Sequence, residues 1–196
     1  MILNAPGLRR IVLAVALLNL AYFGVEFAVA TAIGSVSLFA DSVDFLEDAA
    51  VNLLIFAALG WRPRARARLG MVMSAILLAP AIAFLWTLWR KFEAPVAPDA
   101  VPLSITGLGA LAVNLLCAFL LARCRHHGGS LTRAAFLSAR NDALANVGII
   151  AAGLITFAAP SIWPDVIVGV AIAWMNLDAA REVWTAARDE HREAGA

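Results

Sequence analysis

Six apolar stretches govern what this chain can become, at about residues 11–32, 35–59, 70–89, 102–122, 132–157 and 163–183. Each is near the ~20 residues that an α-helix needs to cross the hydrocarbon core of a bilayer. A chain of 196 residues that is 62% hydrophobic and 15% charged cannot hide so much apolar surface in one small water-soluble core, where about 25% charged residues is usual. Lipid must cover part of it, and in lipid the backbone satisfies its own hydrogen bonds best as helix. The expected fold is an all-α membrane protein of six transmembrane helices. Residues 1–184 form one six-helix domain, and 185–196 form a short charged tail.

The connections fit that reading. Ile33 and Gly34 make a tight reversal between the first two stretches. Pro80 is placed to kink the third, and Trp86 and Trp89 near its end suit a membrane interface. EAPVAPDAVP reads as an extended loop, RCRHHGGSLT as a polar link, and Pro160 and Pro164 divide the last two stretches. No cleavable secretory signal is expected, because the first stretch is too long and lacks a small-residue cleavage site.

Of the fifteen basic residues, twelve fall on one side: Arg9, Arg10, Arg62, Arg64, Arg66, Arg68, Arg123, Arg125, Arg133, Arg181, Arg188 and Arg192. Arg90 and Lys91 fall on the other, and Arg140 lies within the fifth stretch. The positive-inside rule puts the twelve, and both termini, in the cytoplasm. Cys117 and Cys124 are the only cysteines; their positions suggest packing rather than a disulfide.

The second stretch, SVSLFADSVDFLEDAAVNLLIFAAL, contains Asp41, Asp44, Glu47 and Asp48. A carboxylate near the bilayer centre costs roughly 2.5–3.5 kcal/mol even on lenient insertion scales. Such charges persist when paired, protonated, wet or holding a cation, and the spacing favours the last. Asp44 and Asp48 are four apart, stacked on one helical face as a two-carboxylate clamp, and Asp41 and Asn52 share their stripe. The fifth stretch offers Asp142 and Asn146, again four apart, with Ser138 one turn before. The asparagines Asn19, Asn52, Asn114, Asn146 and Asn176 read as interhelical glue. Glu26 and Asp178 lie nearer helix ends and read as wet. Arg140 points away from the acidic face, either to snorkel or to pair with Glu47. His126 and His127 read as ordinary loop residues or as a capture point for metal. No phosphate loop, nucleophilic triad, paired CxxC or nucleic-acid-binding stripe is present.

GSVSLFADSVDFLED, preceded by LNLAYFGVEF, resembles the second-helix signature of the cation diffusion facilitator family. SARNDALANVGIIAAGL resembles that family's fifth helix, and WPDVIVGVAIA its sixth. The resemblance implies a tetrahedral metal site midway across the membrane, with two residues at i and i+4 from each of helices two and five. Carried over, these are Asp44 and Asp48, and Ser138 and Asp142. Two departures stand out. Family members usually carry His or Asp where this chain has Ser138, leaving an oxygen-only set that suits Mn²⁺, Fe²⁺ or Mg²⁺ as well as zinc. They also commonly continue into a cytoplasmic metal-binding domain, whereas this sequence stops about a dozen residues after the sixth stretch.

The resemblance implies a divalent metal exporter, with zinc as the family default and Mn, Fe, Co or Cd as further substrates. It works by alternating access, with protons exchanged for the metal. The expected partners are the metal ions, protons, the lipid bilayer and a second copy in a homodimer, with no nucleic acid. No resident cofactor and no enzymatic activity are expected, and the location is a bacterial inner membrane. Two rivals remain open at this point: a membrane-embedded lipid transferase using the acids to hold Mg²⁺, and a non-transporting partner subunit.

Overall fold

The computed structural model describes residues 6–58, 84–122 and 129–175, the first ten residues of the last block by backbone only. Every regular element among them is helical. The helices are α1 (Pro6–Ile33), α2 (Val36–Ala58), α3 (seen over residues 84–93), α4 (Ala100–Ala122), α5 (Gly129–Ala158) and α6 (Trp163–Met175). Pro80, Cys124, His126, His127, Asn176, Asp178, Arg62, Arg64, Arg66, Arg68 and the tail lie outside the described residues.

Among the described residues, three segments are long and apolar enough to cross a bilayer: Arg9–Ile33, Ala100–Ala122 and Ala139–Ala158. At 23 residues, α2 spans about 34 Å at 1.5 Å per residue; length suits it for crossing, and only its four acids set it apart. Large apolar side chains such as Leu108, Phe119, Leu144, Leu154 and Phe157 face outward from α4 and α5. An exposed apolar surface of that extent marks a membrane-facing or protein-interaction surface.

Local chemistry sets the helix ends. Gly34 has φ +64°, the left-handed conformation that ends helices at low cost only for glycine. The Ser35 amide bonds back to the Ala30 carbonyl at 3.0 Å, completing a Schellman closure of α1. The Ser35 hydroxyl then accepts from the Leu38 amide at 3.1 Å and so caps α2. Two expected boundaries shift. Helix α3 runs to residue 93 rather than 89, which carries Lys91 on a helical face into the interior. Helix α4 starts at Ala100, inside the expected loop, because the Asp99 carboxylate accepts from the Val101 amide at 3.1 Å. Pro102 falls in that first turn, where a missing N–H is harmless.

Helices α1 and α2 pack side by side, as do α4 and α5; α1 meets α4 and α2 meets α5, which closes a four-helix ring. At the end marked by the α1–α2 turn, one apolar cluster draws on all six helices through Ala30, Phe39, Phe84, Leu103, Ile149 and Ile172. Toward the other end the described residues form separate smaller clusters. One joins α1, α4 and α5 around Val15, Leu121 and Ala139, and another sets Val12 against Val51 and Phe56. The polar stripe of α2 lies between these regions.

Candidate metal site

The ring sets Asp44 of α2 and Asp142 of α5 within electrostatic reach of each other. Asp142 of α5 is the strongest electrostatic neighbour of Asp44, ahead of Asp41, Glu47 and Asp48 on its own helix. Asp44, Asp48 and Asp142 all keep partial exposure. Ser138 lies one turn before Asp142 in α5, and its side chain is outside the described residues. Among the described residues no three His, Cys, Asp or Glu side chains stand close enough to grip an ion together.

Helices α1 and α4 complete the surroundings. Asn19, fully buried on α1, donates to the Asp48 carboxylate at 3.5 Å. The Cys117 thiol of α4 points at the Asn19 carbonyl oxygen, also at 3.5 Å, and lies within electrostatic reach of both Asp48 and Asp142. One polar residue from each ring helix thus converges: Asn19, Asp48, Cys117 and Asp142. Sequence reading assigned Cys117 to packing; its burial agrees, but its neighbours are the site's acids. Its position opposite Asp48 depends on how α4 packs, which no local pattern reveals.

Two asparagines depart from the interhelical-glue expectation. Asn52 donates to the Asp48 backbone carbonyl at 2.8 Å, and Asn146 donates to that of Asp142 at 2.8 Å. Each bonds within its own helix, four residues back. Each leaves its side-chain oxygen buried without a hydrogen-bond partner among the described residues. Arg140 is exposed and donates to Asn141 at 3.3 Å; among the described residues it makes no ion pair with Glu47.

Glu26 is a correction. It is fully buried, 0% exposed, not wet. It lies two turns inside the end of α1, on the face that meets Asp41 of α2.

A second polar centre, which sequence reading missed, closes the turn end. Asp165 of α6 is fully buried. Its carboxylate accepts from the Ser35 hydroxyl at 2.6 Å, the Val36 amide at 2.8 Å, the Ser37 amide at 3.0 Å and the Ser37 hydroxyl at 2.7 Å. An anion on a helix N-terminus meets free N–H groups and the positive end of the macrodipole. Lys91 of α3, also buried, reaches the same point. Its ammonium donates to the Gly34 carbonyl at 2.6 Å and stands 3.7 Å from Asp165. Beside it, Phe92 meets Trp163 with ring centroids 6.3 Å apart. Lys91 is therefore part of a buried latch rather than a free surface charge. Gly169 allows the approach, since a Cβ there would stand 2.9 Å from the Ser37 amide nitrogen and from the Val36 carbonyl carbon. The faint sequence signal was a proline followed by an acid at the start of one helix, and serines flanking the start of another.

A helical bundle with apolar outer faces, whose α2 and α5 bring acids within electrostatic reach of one another, has the character of a membrane protein. Residues 12–189 match the cation efflux transmembrane domain, and the chain belongs to that family. It is 30% identical over 138 residues to the zinc transporter ZitB of Pectobacterium atrosepticum, a match covering 62% of this chain and 42% of that protein. The chain thus matches less than half the length of that relative.

Proposed function

We propose that the chain exports divalent metal cations across a bacterial inner membrane in exchange for protons, with Asp44, Asp48, Asp142 and Ser138 as the transport site. The observation that supports this reading is that Asp142 of α5 lies within electrostatic reach of Asp44 of α2, two acids on helices far apart in sequence. Carboxylates gathered in a low-dielectric interior repel one another unless a cation or protons neutralise them. Binding draws the three together around the ion; release hands the same oxygens to protons, so metal and proton compete for one site.

Zinc is the leading substrate. The relative named as a zinc transporter supports it, and so does Cys117, because a thiol near the acids favours zinc or cadmium over hard cations. The remaining oxygen donors also suit manganese, iron or cobalt. Six spans with both termini cytoplasmic set the arginine-rich end inward. The latch of Asp165 and Lys91 then closes the outer end, and the ion enters from the cytoplasm. Alternating access requires that latch region to separate while the other end closes.

The reading is tested by Zn²⁺ flux in proteoliposomes with an imposed pH gradient. Flux should rise when protons can run counter to the metal and fall when the gradient is collapsed. Flux indifferent to the gradient would remove proton exchange from the account.

A further inference from the structure

One turn along α2 from Asp44, toward the latch, a second acidic pair is sealed inside the bundle. Glu26 of α1 and Asp41 of α2 are each 0% exposed. Their carboxylates face each other within hydrogen-bonding reach. No N–H or O–H donor of another residue reaches any of their four oxygens among the described residues. Tyr22, four residues before Glu26 on the same face of α1, lies within electrostatic reach of both acids. Its hydroxyl proton is already committed, donated to the Thr106 carbonyl of α4 at 2.6 Å. Its proton is therefore not available to the acids. Phe45 packs on the Tyr22 ring at 5.1 Å between centroids and fixes its place.

Every group at this point is an acceptor. Buried acceptors left bare cost free energy, and buried charges left unpaired cost far more. One shared proton would satisfy one oxygen of each acid and leave the other two unmet. A divalent cation would face four carboxylate oxygens and balance both charges at once, which one proton does not.

We propose that Glu26 and Asp41, with Tyr22 beside them, form a second divalent-cation site of oxygen donors, distinct from the site of Asp44, Asp48 and Asp142. Asp41 belongs to the same α2 stripe as Asp44 and Asp48, and the three acids feel one another electrostatically. The second site therefore stands on a continuous acidic path toward the latched end. It does not depend on the transport reading, since it could hold an ion whether or not that ion crosses.

The test uses Mn²⁺ as probe, with the purified chain in lipid nanodiscs and bound ion read by electron paramagnetic resonance. The background carries Asp48→Asn and Asp142→Asn, which removes the first site. Mn²⁺ binding should persist in that background. Glu26→Gln and, separately, Asp41→Asn should each weaken it at least tenfold. With chelator present, Glu26→Gln should raise the melting temperature, because its amide can donate to Asp41. The inference is overturned if the background binds no Mn²⁺, or if both amide variants bind it like their parent, which would leave the pair carrying protons alone. Failure of the transport reading would show differently, as a Mn²⁺ stoichiometry that Asp48→Asn and Asp142→Asn do not lower from that of the unaltered chain.

Discussion

The Asp165 carboxylate accepts four hydrogen bonds at the start of α2 and stands beside a buried lysine. Removing it strands the Lys91 charge and frees two amides and two hydroxyls in the interior. Asp165→Ala should cost about 3–5 kcal/mol, the range for breaking a buried pair by deleting one partner. Reversible unfolding in mixed detergent micelles measures this; a loss under ~1 kcal/mol would show the latch to be dispensable. At this scale the sequence was legible where a charge contradicted its surroundings. Asp44, Asp48 and Asp142 stood out because acids are rare within apolar stretches. Asp165, Lys91 and Ser37 did not, because each lies near a helix end, where polar residues are ordinary. Glu26 was misread for the same reason. Only the packing of α1 on α2 shows that its carboxylate turns inward.

The helices themselves were more legible than their contacts. The expected spans at 11–32, 35–59, 102–122 and 132–157 agree closely with α1, α2, α4 and α5, since a run of about twenty apolar residues leaves the backbone little choice. Boundaries slipped where a cap or a tertiary contact decided them, as at Asp99 and Lys91. Gly169 and Gly148 allow one test of element packing. A Cβ at Gly169 would meet the start of α2 at 2.9 Å, whereas one at Gly148 would meet Val168 at an ordinary 3.6 Å. Gly169→Ala should therefore destabilise by about 1–3 kcal/mol through overpacking. Gly148→Ala should be neutral, or gain up to ~1 kcal/mol from better helix propensity. Equal effects in the same unfolding assay would mean that α6 does not press on the α2 N-terminus.

Across the whole molecule, charge and packing are divided between two ends. The end with the α1–α2 turn is closed by the shared apolar cluster and the buried latch. At the opposite end Arg9 lies over the Phe56 ring at 4.5 Å, tying α1 to α2, and the described clusters there are smaller. The acids of α2 and α5 sit between, where an ion could be exposed to each side in turn. Family membership was legible from the second, fifth and sixth stretches together. The path from Asp48 through Asp44 to Asp41 and Glu26 was not, because it depends on which face of α1 meets α2. The claim on which the transport account rests is that the Asp142 charge helps hold the ion. Zn²⁺ flux in proteoliposomes bearing Asp142→Asn tests it most directly, since the amide keeps the size of the side chain and removes only its charge. Flux should fall to that of protein-free liposomes, with the helical content unchanged; flux at the level of the unaltered chain would contradict the account.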